Sequence, residues 1–169
     1  MPNKDTFTIP PIADFVSRWL HGISVDPFAR NSKLATYTND LNPEIEAQYN
    51  LPANEFLNQL VNDGVVADVI IFDPPYSSQQ AKEVYSGIGK EFLSNDNINV
   101  IRWTREKEAA MRLCKIGTIV LSFGWNTTGM GRRRGFTIEE VLIVNHAGAH
   151  NDTICMAEKL QVVQESFAL

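Results

Sequence analysis

The order of residues predicts a three-layer α/β sandwich whose sheet is mostly parallel and finishes in an antiparallel hairpin. Three observations carry this expectation. Short β-favouring runs alternate with helix-spaced apolar residues from Pro10 to Phe123. The run Asp68-Val69-Ile70-Ile71-Phe72 is almost continuously apolar, which suits a central parallel strand covered by helices on both faces. Two last strand-like runs, 140–145 and 153–158, flank a turn at 148–152 and read as a hairpin at the edge of the sheet.

Each element has its own local reason. After Pro10-Pro11, residues Ile12, Phe15, Val16, Trp19 and Leu20 recur at helical spacing, and proline at a helix start sacrifices no hydrogen bond. Gly22 then releases the chain. Ile23-Ser24-Val25 and Ala35-Thr36-Tyr37-Thr38 are predicted strands, ending respectively in Asp26 and in Asn39-Asp40. A helix is expected over 54–62, with Phe56, Leu57, Leu60 and Val61 on one face and Asp63-Gly64 as its stop. The apolar strand over 67–72 follows, then helices over 78–85 and 102–113 and a buried strand over 117–123. In such an open sheet the ligand crevice lies at the carboxyl ends of the strands.

A length of 169 residues suits one domain spanning 1–169. Hydrophobic content of 44% with 21% charged residues fits a folded chain rather than a disordered one. No apolar run approaches the length of about 18 residues that a membrane helix needs, and residues 1–8 lack a signal-peptide core, so a cytoplasmic setting is expected. A net charge of -5 excludes a protein that coats nucleic acid through bulk charge, while leaving room for a local basic surface. Cys114 and Cys155 show no paired spacing and read as buried free thiols. His146 and His150, close to Asp152, have a spacing that invites a metal, but the chemistry argued below needs none and none is expected.

Asp73-Pro74-Pro75-Tyr76 follows the apolar strand directly and therefore sits on the crevice rim. An exocyclic amine on an aromatic base is a poor nucleophile because its lone pair is delocalised into the ring, and fixed acceptors for its two hydrogens help localise that pair. Asp73 offers a carboxylate acceptor, and the two prolines stiffen the loop without N–H donors, leaving the Pro74 carbonyl as a second acceptor. Tyr76 offers a ring to a base that is flipped out of a duplex or already single-stranded. Without that chemistry the tetrapeptide reads as a rigid strand-to-helix turn.

With Val25-Asp26-Pro27-Phe28-Ala29 opening a loop, Asn39-Asp40 ending the next strand and Asp73-Pro74-Pro75-Tyr76 following in that order, the chain resembles the amino-methyltransferases of DNA. The likeness is to small adenine-N6 enzymes of phage and mobile-element type. It implies a Rossmann-like, seven-stranded methyltransferase sheet, S-adenosylmethionine as cofactor, and DNA as substrate. It also implies catalytic roles for Asp73, Pro74, Pro75 and Tyr76, and cofactor contacts from Asp26, Pro27, Phe28, Ala29, Arg30 and Asp73. Asp40 stands where the family's ribose-binding acid lies, a position from which a carboxylate can accept hydrogen bonds from ribose hydroxyls. Its alternative is a turn-capping role. Phe7-Thr8-Ile9-Pro10-Pro11-Ile12 is similar to the family's N-terminal cofactor segment, which implies contacts from Phe7 and Pro10, although the same residues suit a helix lead-in.

Two departures from the family pattern stand out. Arg30 and Ser32 occupy positions where glycines are usual, so the loop is expected to lose permissive backbone; Arg30 either binds the cofactor's carboxylate or obstructs the site. Pro52 stands where many relatives carry an aspartate for the cofactor's adenine amine, leaving Asn54 or Glu55 as substitutes.

The loop over 122–135 gathers Trp125 and the adjacent Arg132, Arg133 and Arg134 on a glycine-rich backbone. The arginines are expected to clamp phosphates, and Trp125 to stack on a base or line the cofactor pocket; the plainer reading is a solvated charge run. Gln79, Gln80 and Lys82 are further candidates for touching nucleic acid. About forty residues separate Tyr76 from Gly117, so no separate target-recognition domain is expected. Specificity is then weak, short-site, or supplied by a homodimer or an accessory subunit. Two other readings stay open: amine methylation of another base or of RNA (cytosine N4, guanine N2), and a degenerate, non-catalytic nucleic-acid-binding domain suggested by Arg30, Ser32 and Pro52. A dinucleotide oxidoreductase is disfavoured because no G-x-G-x-x-G follows the first strand.

Overall fold

The computed structural model describes residues 6–76, 82, 86, 103–148 and 151–162. A short 3-10 turn, Thr6–Thr8, leads into α1 (Pro10–Trp19). Then come β1 (Ser24–Asp26), β2 (Tyr37–Thr38), α2 (Ala53–Asn62) and β3 (Ala67–Phe72). They are followed by α3 (Thr104–Met111), β4 (Cys114–Gly124), β5 (Phe136–Val144) and β6 (Thr153–Leu160). The strands form one sheet in the order β2-β1-β3-β4-β6-β5. β1, β2, β3 and β4 run parallel to one another, and β6 is antiparallel to both β4 and β5.

The period of two along the central strands sorts their side chains between the two helical layers. Val69 and Ile71 of β3, with Ile119, Leu121 and Phe123 of β4, pack with Ile12, Phe15 and Val16 of α1. Ile70 and Phe72, with Val120, face the opposite way and pack with Phe56, Leu57 and Leu60 of α2 and Ala109 and Ala110 of α3. Burying both faces explains why the run is apolar throughout, and it gives the three layers that the sequence predicts.

The sheet has six strands among the described residues, not seven. Beyond β2 the edge carries a single parallel bridge, Asn39 to Tyr49. The chain between them is turned, not extended: the Asn50 amide donates to the carbonyls of Asp40, Asn42 and Ile45 at 3.2, 3.0 and 3.3 Å, and Pro43 has no N–H for a ladder. β2 is shorter than predicted because Ser24 and Thr36 hydrogen-bond each other's backbone through their side chains, at 3.1 and 3.0 Å. β5 starts four residues earlier than the run at 140, at Phe136. The helix expected over 78–85 lies outside the described residues apart from Lys82, which is helical and exposed. Among the described residues no helix is long and apolar enough to cross a membrane.

Candidate active site

β1 delivers Asp26 to the carboxyl edge of the sheet, fully buried, where its Oδ1 accepts the Phe28 N–H at 3.0 Å. β2 delivers Asp40 beside it. Asp40 Oδ2 accepts the Arg30 N–H at 3.0 Å and Oδ1 accepts the Asn42 N–H at 2.8 Å. Asp40 thus shapes its own turn and the loop after β1, and each oxygen keeps a further lone pair for a ligand hydroxyl. The Asn39 amide ties this loop to the next, donating to the carbonyls of Pro27 and Leu51 at 3.0 Å each. Arg30 has φ +48, so the left-handed turn that a glycine would allow is retained with an arginine in it. The loss of glycine therefore costs backbone strain of about 1 kcal/mol instead of the loop's shape.

Two cavities open on this loop. One, of about 300 Å³, lies between Thr6, Phe7 and Thr8 and the loop over 28–34. Phe7 is held there by an edge-on contact with Phe123, ring centroids 5.3 Å apart. The other, of about 90 Å³, is lined by Asp40, Pro52, Asn54, Trp103 and Glu106 among others. Phe28, Arg30 and Asp73 line both, so they mark the junction. Phe28 is fixed edge-on against Phe72 at 5.4 Å and Trp103 at 5.1 Å. Ala29 lines the larger cavity and Pro27 the smaller; Pro10 is exposed at the first turn of α1, and neither it nor Glu55 lines either one.

Asp73 follows β3 and is buried at this junction. The Tyr76 hydroxyl donates to its Oδ1 at 2.6 Å. Burial pushes the Asp73 carboxyl above its ordinary range, opposed by the Tyr76 hydroxyl and the charge of Arg30. Burial, and then the neighbouring Asp73 charge, raises the Tyr76 phenol, which stays protonated as the donor. The Tyr76 ring stands edge-on to Trp125 at 5.8 Å and 72°. Asp26 is also raised, by burial first, with Asp73 and Asp40 adding repulsion.

Four buried side-chain atoms have no hydrogen-bond partner among the described residues: Asp26 Oδ2, Glu106 Oε2, Ser122 Oγ and Trp125 Nε1. All belong to the carboxyl end of the parallel strands or to the helix and loop beside it; Ser122 is in register with Phe72, the last residue of β3. Leaving such an atom unpaired costs about 1–3 kcal/mol, so their concentration here marks a place built for polar ligand atoms.

The basic loop divides into two parts. Glu158 of β6, 1% exposed, accepts the N–H groups of Met130 and Gly131 at 2.5 and 2.9 Å. Lys107 Nζ donates to the Gly129 carbonyl at 2.6 Å, and Arg134 Nη1 to that of Met130 at 3.1 Å. Arg134 therefore turns inward while Arg132 and Arg133 are exposed, as Lys82 is. Gln79, Gln80 and His150 lie outside the described residues. His146 Nε2 meets Thr153 Oγ1 at 2.9 Å, and no group of three or more His, Cys, Asp or Glu suited to a metal occurs among the described residues. Cys155 is buried and Cys114 half-buried, both free, with burial pushing each thiol up to about 12.

Trp103, Glu106 and Glu158 were not singled out from the sequence, and Asn39 was named there only as the end of a strand. Glu106 looks in sequence like a solvated residue of a charged helix, and only the packing of α3 against the loops reveals it as buried.

No protein-family model and no curated protein matches the sequence. Solved structures share its fold. TrmN from Thermus thermophilus superposes with a TM-score of 0.54 at 17% identity, covering 89% of this chain and 48% of that one, so the present chain spans about half its length. SMU.1697c from Streptococcus mutans, crystallised in complex with SAH, gives 0.46 at 17% identity over 95% of this chain and 100% of that one. An rRNA methylase from Streptococcus thermophilus gives 0.44 at 14% identity over 95% and 99% of the two chains. The likeness to TrmN establishes the open, mostly parallel α/β sheet.

Proposed function

We propose that this chain is an S-adenosylmethionine-dependent methyltransferase acting on an exocyclic base amine, with adenine N6 in DNA as its substrate. The observation that carries this reading is the position of Asp73-Pro74-Pro75-Tyr76 where the two cavities meet, with Asp73 lining both. The cofactor is an elongated cation with an amino-acid end and a nucleoside end, which fits a divided cleft lined by Asp40 and Asp73. Thr6, Thr8 and Arg30 line the cavity suited to the methionine end, Asp40 the ribose, and Phe28 and Trp103 the adenine. When bound, that group supplies an electrophilic methyl.

The remaining chemistry belongs to the chain. Asp73 and the Pro74 carbonyl accept hydrogen bonds from the target amine and localise its lone pair. Tyr76 has two roles, since its hydroxyl orients Asp73 while its ring, backed by Trp125, offers the face for an unstacked base. The amine loses its proton after the methyl has transferred, so orientation supplies most of the rate and no strong base is required. Arg132, Arg133 and Lys82 are exposed cations available to phosphates, and any finer sequence selection falls to them, to a second copy or to an accessory subunit.

Methyl-transfer assays with labelled cofactor on single-stranded and duplex adenine-containing DNA, beside matched RNA, test this reading. N6-methyladenine in DNA is the expected product. Product in RNA alone overturns the DNA assignment, and failure to bind the cofactor overturns the enzyme reading in favour of a degenerate binding domain.

A further inference from the structure

We propose that Glu106, in the first turn of α3, is the residue that recognises the exocyclic amine of the cofactor's adenine. This assignment rests on the cofactor reading above. Pro52 stands at the position that offered an aspartate for this job, and it lines the smaller cavity with no side-chain acceptor to offer. Glu106 lines the same cavity, as does Trp103. It is 8% exposed, and its Oε2 has no hydrogen-bond partner among the described residues. Glu55, by contrast, is exposed on α2 and lines neither cavity.

The chemistry of the pocket selects the partner. Phe28 and Trp103, packed edge-on against each other, give the cavity an aromatic lining against which a flat heterocycle can lie, and Asp40 at the same cavity suits a ribose. A lone buried carboxyl oxygen beside them needs an N–H donor, which the adenine amine provides. Burial raises the Glu106 carboxyl above its ordinary range.

The test compares S-adenosylhomocysteine with its analogue carrying unsubstituted purine in place of adenine, two ligands that differ in the exocyclic amine alone. Calorimetric affinities are measured for the full chain, Glu106→Leu and Glu106→Gln, with thermal melts to verify folding. The native chain is expected to prefer the adenine ligand about tenfold, the worth of one well-placed hydrogen bond. Glu106→Leu should bind both ligands alike, and Glu106→Gln, which keeps an acceptor and a donor, should restore the preference. Equal preference in the native chain and in Glu106→Leu overturns the assignment but leaves the cofactor reading standing. Failure of the native chain to bind either ligand overturns both.

Discussion

Two loops leave the carboxyl edge of the sheet, and both are pinned by a buried carboxylate, yet they are built for different ends. The loop after β4 turns on glycines: Gly129 has φ +60, and a Cβ there would stand 2.1 Å from Glu158 Oε2. Glu158 spends both oxygens on loop N–H groups, and Lys107 and Arg134 cap the carbonyls around it. The loop after β1 turns instead on Arg30 in the same left-handed region, leaves Asp26 Oδ2 unpaired, and opens two cavities. The difference separates a scaffold, in which both oxygens of the pinning carboxylate are satisfied within the fold, from a candidate binding site, in which backbone strain and an unpaired carboxyl oxygen remain.

Breaking the scaffold should have the largest effect. Glu158→Ala strips two loop N–H groups of their acceptor and leaves Lys107 buried without its counter-charge, so we expect a loss of about 3–5 kcal/mol in urea unfolding. The corresponding change in the site should spare the fold and remove the reaction: Asp73→Ala lowers kcat for methyl transfer by about 100- to 1000-fold, in line with losing one preorganised partner of the reacting group. A melt within a few degrees of the native one distinguishes this from unfolding.

Asp26 sharpens the comparison through pH. Its carboxyl is raised above 3.8 in the fold, chiefly by burial. The neutral form is thus preferred when folded, and the stability it contributes is fully present below 3.8 and lost as pH rises through the raised value. Asp26→Asn stays uncharged, so its stability should fall less than the native chain's between about pH 4 and pH 7. Parallel profiles measured by denaturant titration would contradict the unpaired burial of this group. The smallest expected effect is Arg30→Gly, which relieves the left-handed strain and should raise stability by about 0.5–1 kcal/mol while weakening cofactor affinity. A destabilised variant would show that the Arg30 side chain holds the loop.

How much of this was legible beforehand follows the same division. Local periodicity is enough for α1, α2 and the two-faced burial of β3, because each is dictated by residues within one or two turns or pleats. The order Asp26, Asp40, Asp73 was legible too, since the ends of parallel strands converge on one edge. The turn beyond β2, where the described residues hold no further strand, was not, because it depends on the Asn50 side chain bonding back to Asn42. Glu106 and Glu158 were also hidden: a carboxylate is ordinarily a surface residue, and only long-range packing against loops 22 to 28 positions away, as between Lys107 and Gly129 or Met130 and Glu158, makes this neighbourhood an interior one.

The most direct test of the divided cleft is calorimetric titration of the full chain with S-adenosylmethionine, beside Asp40→Ala. Binding at one molecule per chain that the variant weakens at least about tenfold is the predicted result, since Asp40 holds the Arg30 turn and, in the proposed function, accepts from the ribose. Equal binding by the two proteins, or none by the native chain at millimolar cofactor, would contradict the assignment of this cleft.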